Sequence, residues 1–163
     1  MESYLINPFG AGDSERRQIW EMLVARDSDA FAAQNWKMVE NDFIPERFDG
    51  ISGNGSDNPD AWTLKYPTLV SYRDDWLAQG AEYAKVPLTA ISHRDLVYKL
   101  TTMNEIEIKG DRAICHKKFH ADEPLKNGER FRLAAQTIYR LHRIGSIWKI
   151  VGFVGYLPYP MGS

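Results

Sequence analysis

Apolar residues recur at helical spacing in the first half of this chain and alternate with polar ones through most of the second half. In "GDSERRQIWEMLVARDSDAF", Ile19, Trp20, Leu23 and Val24 form a stripe at the spacing of an amphipathic helix. Asp13 or Ser14 is the expected N-cap, with acidic Glu15 in the first turn. The run Arg26-Asp27-Ser28-Asp29 interrupts the stripe and predicts a short corner, after which "SDAFAAQNWKMV" reads as a second, shorter helix. "DFIPERFDGIS" predicts a strand, with Pro45 placing it at an edge or a bulge. The loop "GNGSDNPD" follows, and Pro67 opens a third helix from Thr68 to Tyr83 that buries Leu69, Tyr72, Trp76 and Tyr83.

From about Leu96 the period changes to two. "DLVYKLTTMNEIEIKGDRAICHKKFHAD" predicts two strands joined around Gly110-Asp111, and "ERFRLAAQTIYRLHRIGSIWKIVGFVGY" predicts a second hairpin turning at Gly145-Ser146. A two-residue loop pairs positions whose numbers sum to an odd value, so even positions on one strand share a face with odd positions on the next. This groups Leu96, Tyr98, Leu100, Thr102, Asn104, Ile106 and Ile108 with Ala113, Cys115, Lys117 and Phe119. It also groups Leu133, Ala135, Thr137, Tyr139 and Leu141 with Trp148, Ile150, Gly152 and Val154. Both sets are more apolar than their opposites and are expected to face the helices. His116, His120 and His142 then fall on the outer face among charges, with Ile138, Val151 and Phe153 as its apolar members. Helices followed by hairpins predict an α+β class, with the helices on one face of a curved antiparallel sheet.

Composition narrows the function classes. The 163 residues predict one domain spanning 1–163, with 44% hydrophobic and 26% charged residues. A formal net charge of −2 and a pI near 6.1 favour neither nucleic acid nor an anionic membrane as partner. Cys115 stands alone, which excludes an intrachain disulfide and a multi-cysteine zinc site and fits a reducing compartment. "MESYLINPFGAGDS" carries neither a basic start nor a long apolar run, so a cytoplasmic location is expected. Histidines on a strand face without a ligand motif predict no metal, and the lack of a glycine-rich phosphate loop predicts no nucleotide cofactor. Five Trp, eight Tyr and seven Phe are the compositional excess. Among inward polar residues, Lys117 is expected either to snorkel to water or to act as a functional cation, and Tyr139 and Asn104 need partners.

The order of elements, with "ARDSDAFAAQNW", "IEIKGDRA" and "IWKIVGF", resembles the nuclear transport factor 2-like superfamily, which includes the SnoaL-like and ketosteroid isomerase-like proteins. The resemblance implies a cystatin-like cone. Three N-terminal helices pack into the concave face of a strongly curved antiparallel sheet, enclosing a pocket, and the outer sheet face forms a homodimer. It implies a small-molecule ligand and acid–base chemistry of isomerase, dehydratase or cyclase type, or else a noncatalytic binding or dimerisation module. By that resemblance the base belongs in "DFIPERFDG", where Asp49 is the nearest acid and Arg47 the alternative occupant of the position; Asp49-Gly50 also reads as a turn pair. Tyr139 would donate a hydrogen bond and Lys117 would stabilise charge. Trp20, Trp62, Tyr66, Trp76 and Phe119 would supply the walls, with Arg47 and Asn104 as polar contacts. Trp20 stands where a steroid isomerase would have its donor tyrosine, so the sequence departs from that activity.

Overall fold

The computed structural model describes residues 1–160. The N-terminal helix starts at α1 (Ser14–Trp20), where the Asp13 side chain accepts from the Arg16 amide. It does not break at Arg26–Asp29. It passes through a π-helical segment, Glu21–Arg26, into α2 (Asp27–Ala33). The Asp27 N–H reaches back five residues to the Met22 carbonyl, the wider bond that defines a π turn. The widened turn explains a burial pattern too broad for one α-helical stripe: Ile19, Trp20, Met22, Leu23 and Val24 are all buried. The expected corner is overruled by packing, since Ser28 within it and Ala30 just after it have no exposed surface. Arg26 instead forms a two-pronged bond to Asp42 (2.9 and 2.7 Å), tying the helix to the turn Glu40–Asp42. Gln34, in a left-handed conformation, ends the helix well before Val39.

Residues 42–52 supply a much shorter strand than the pattern predicts. Pro45–Arg47 is a tight turn, and only β1 (Asp49–Ser52) is extended. β2 (Thr63–Tyr66) pairs with it, and α3 (Leu69–Ala84) follows behind a Thr68–Ser71 capping box. The stretch from His93 corrects the sequence reading again. His93–Leu100 is a helix, α4, whose cap Ser92 accepts from the Asp95 amide at 3.0 Å. Leu96 and Leu100 are buried as expected, but at helical rather than strand spacing.

β3 (Thr101–Lys109), β4 (Arg112–Pro124), β5 (Arg130–Ile144) and β6 (Ile147–Leu157) complete one sheet in the order β2-β1-β6-β5-β4-β3. All neighbours are antiparallel except β1 and β6. Both two-residue hairpin turns form as expected, with Gly110 and Gly145 at positive φ. Three irregularities reverse the parity locally. In β3 the register shifts between Thr102 and Glu105, so Met103 is buried and Asn104 faces water. In β6, Arg140 pairs with Gly152 but Leu141 with Ile150, so Val151 is the extra residue and Phe153 turns inward instead of outward. A second shift lies near Tyr156, a non-glycine residue at φ +55°. The main core gathers Ile19, Leu23, Met103, Cys115, Leu141 and Trp148 between the N-terminal helix and the sheet.

Candidate functional site

Where the end of the N-terminal helix, α3 and α4 stand off the sheet, they leave a cavity of about 640 Å³. Phe31, Tyr72, Trp76, Tyr83, Phe119, Phe131 and Phe153 make its walls largely aromatic. The rings interlock: Phe31 meets Trp76 edge-on at 5.5 Å, and Tyr72 meets Phe153 at 5.0 Å. Such rings cannot collapse into the space without breaking their own packing.

Two polar clusters stand in this apolar setting. The first lies on the sheet side. Lys117, from β4, points inward and donates to Asp27 Oδ2 at 2.8 Å. Its side chain is only 3% exposed, against 27% for Asp27, so the ammonium is paired inside rather than snorkelling to water. The π turn delivers Asp27 to this position. Tyr139, on β5 opposite Cys115, lies beside the pair, with the Lys117 ammonium 5.8 Å from its ring centre. Burial pushes the Tyr139 hydroxyl well above the usual phenol range; the Asp27 charge adds to this and a hydrogen bond with Tyr72 offsets part of it. Burial likewise raises Tyr72, with Tyr139 the next cause. Both hydroxyls therefore stay protonated and able to donate at neutral pH.

The second cluster lies at the rim. The Tyr66 hydroxyl donates to Asp75 and lies 3.0 Å from the Tyr156 hydroxyl. Gln79 donates to both Asp75 and Tyr156 at 2.8 Å. Asp75, Gln79 and Tyr156 line the cavity; Tyr66 braces them from behind.

Of the residues singled out in the sequence, Lys117, Tyr139, Trp76 and Phe119 line the cavity and Tyr66 touches its rim network. The others lie elsewhere. Asp49 is on the outer side of β1, ion-paired with Arg140, because the tight turn before it shortens the strand and sets its direction. Arg47 also lies outside, donating to His142 Nδ1 at 2.5 Å, while His142 Nε2 contacts Asp111 at 3.2 Å. Neither candidate for the base position reaches the cavity. Trp20 is enclosed in the core under the helix, and the Trp62 indole N–H holds the Ser56 carbonyl at 2.9 Å within its own loop. Asn104 is turned out by the β3 bulge. On the outer face His116 pairs with Glu107 at 2.9 Å, while Glu105 stands directly opposite it. Sequence reasoning missed Asp27, because "ARDSDAF" reads as a break. It missed Asp75, Gln79 and Tyr156 because nothing in their local pattern marks a cavity.

Several solved structures superpose on this chain. Aln2 from a Streptomyces species superposes with a TM-score of 0.59 at 8% identity, over 87% of this chain and 89% of that one. The fold is nuclear transport factor 2-like. An NTF2-like protein of unknown function from Pseudomonas putida matches with a TM-score of 0.57 at 14% identity, over 93% and 90% of the two chains. An NTF2-like protein with a cystatin-like fold from Novosphingobium aromaticivorans matches at 0.54 and 13% identity, over 92% and 84%. A candidate dehydratase from the NTF2-like family of Streptomyces avermitilis matches at 0.57 and 8% identity, over 91% and 98%. No protein-family model and no curated protein matches the sequence. At these identities the likeness is one of NTF2-like fold, and chemistry has to be argued from the cavity itself.

Proposed function

We propose that the cavity is the active site of an enzyme performing acid–base chemistry on a small, uncharged, partly aromatic molecule, of isomerase, dehydratase or cyclase type. One observation carries the reading: the buried Lys117 ammonium holds half-buried Asp27 at an apolar cavity beside a tyrosine whose hydroxyl stays protonated. Asp27 takes a proton from carbon next to a carbonyl. Lys117 fixes the carboxylate and balances its charge. Tyr139 donates to the oxygen on which negative charge develops, a role in which a pre-aimed donor in a dry site is worth most. The dehydratase description of one structural neighbour is consistent with this chemistry. Among the described residues, the only lysine lining the cavity is already paired, so a carboxylate or phosphate ligand gains no open ammonium there.

The same pair supports a second reading. A carboxylate with one oxygen already held at 2.8 Å by an ammonium also suits a noncatalytic ligand carrier. Incubation in heavy water with a panel of cyclic ketones and β-hydroxy carbonyl compounds separates the two. The enzyme reading expects carbon-bound deuterium to appear with wild type and to vanish with folded Asp27→Asn. Thermal stabilisation by members of the panel without exchange selects the carrier, and equal exchange by the variant removes Asp27 as the base.

A homodimer through the outer sheet face belongs to the same proposal, with half-exposed Ile138 and exposed Ile114 as its apolar contacts now that Phe153 is turned inward. Sedimentation of wild type and Ile114→Lys tests it: the variant is expected to run as a monomer, and a wild-type monomer at micromolar concentration removes the idea. Among the described residues no helix is long and apolar enough to cross a membrane.

A further inference from the structure

Behind the rim of the cavity lies a second, outer cleft of about 600 Å³. Two residues, Ala135 and Tyr156, line both spaces. Of these two side chains only that of Tyr156 is large enough to divide them. We propose that Tyr156 is a specificity-determining partition that sets the length of ligand the inner cavity accepts; this rests on the reading of that cavity as a small-molecule site.

Three features hold the ring in place. Its hydroxyl is latched by Gln79 at 2.8 Å and by the Tyr66 hydroxyl at 3.0 Å. The Lys65 ammonium covers its outer face, 4.4 Å from the ring centre. Its backbone occupies the left-handed region at φ +55° where the β5–β6 register shifts, a conformation side chains other than glycine, asparagine and aspartate adopt at a cost. A strained tyrosine with three restraints is a wall built at that point, whereas a regular strand there would have directed the side chain differently. Beyond the wall, Ala134 and Pro158 stand beside polar Ser52, Asn54 and Lys65, so removing the ring joins the two spaces into one elongated site with a mixed far end.

The substitution that tests this is Tyr156→Gly, because glycine removes the ring and also relieves the positive-φ strain rather than adding to it. Tyr156→Phe keeps the wall and loses only the latch. The fluorescent amine N-phenyl-1-naphthylamine would report occupancy of the inner cavity, and a homologous series of 1-alkanols would displace it. In wild type, affinity is expected to rise by roughly four-fold per added CH₂ and then stop at a limiting chain length. In Tyr156→Gly the rise is expected to continue for several further carbons, while Tyr156→Phe stops where wild type does. The same limiting length in wild type and Tyr156→Gly overturns the proposal. So does an equal extension in Tyr156→Phe, which would assign the effect to a loosened network instead of a wall. If the fluorophore binds none of the three proteins, the small-molecule reading of the inner cavity falls as well; binding with an unchanged limit removes the partition alone.

Discussion

The Lys117 ammonium lies 2.8 Å from Asp27 Oδ2, joining the middle of β4 to the N-terminal helix at the wall of the cavity. A buried charge left without its partner costs far more than the pair itself contributes, and two matched apolar residues often do as well as the pair. Asp27→Leu, which strands the buried Lys117 ammonium, is therefore expected to lose about 3 kcal/mol of stability. The double variant Asp27→Leu with Lys117→Met should recover most of that loss. Urea denaturation of the single and double variants measures it. Recovery of stability without recovery of carbon-bound deuterium exchange would show that the pair is kept for function.

The Asp49–Arg140 pair predicts the opposite balance. Both side chains are more than 40% exposed, so Asp49→Ala should cost no more than about 1 kcal/mol and leave ligand affinity unchanged. Gly152, pressed beneath that pair, is far less tolerant. A Cβ there would lie 2.5 Å from the Asp49 carbonyl oxygen, which is backbone and cannot swing away. Gly152→Ala should cost about 2–3 kcal/mol by parting β1 from β6. Equal denaturation midpoints for the two variants would contradict this account.

High pH should unfold the protein through its tyrosines. Burial raises Tyr72 and Tyr139 well above a phenol's ordinary value and lifts Tyr98 to about 12. A group whose folded pKa is raised contributes stability in full below its unfolded pKa, about 10 for tyrosine. That stability is lost as pH rises through the folded value. Thermal melts should therefore hold steady up to about pH 10 and fall steeply above it. Phenolate absorbance should show these tyrosines ionising together with the loss of helical circular dichroism. Gradual ionisation with the fold intact would mean that their hydroxyls are reached by water.

Cys115 has no exposed surface, and burial pushes its thiol up to about 12. Iodoacetamide at neutral pH should fail to label the native protein and should label it fully in denaturant. Labelling at the rate of a free thiol without denaturant would place Cys115 in an accessible part of the cavity.

The hairpins and the inward face of β4 were legible because a two-residue turn fixes pairing, and pairing fixes which side chains share a side. Lys117 and Tyr139 were placed inward by that argument alone. It failed at Asn104, inside the β3 register shift, and at Phe153, past the β6 bulge, because an extra residue inverts the facing of its neighbours and leaves no mark in local composition. The helix at His93–Leu100 had a readable signal in Ser92 followed by Asp95 three residues on, but β-forming Val97 and Tyr98 obscured it. Asp27 was hidden for a different reason. A charged run inside an apolar stripe reads as an interruption, and only tertiary packing shows that the helix continues and takes the charge inward.

The π turn at Glu21–Arg26 has a consequence for how such a site can arise or be lost. A π turn amounts to one residue too many for a regular helix. Deleting one residue there would leave a regular helix with both flanks in their present phase, whereas a straight α-helix through the existing residues would turn the flanks about 100° out of phase. In that straight helix Ile19 and Trp20 could fill the core, or Asp27 could meet Lys117, but not both. The position of the carboxylate is thus written in the widened turn as much as in residue identity, and straightening it would silence the site while every residue that builds it remained.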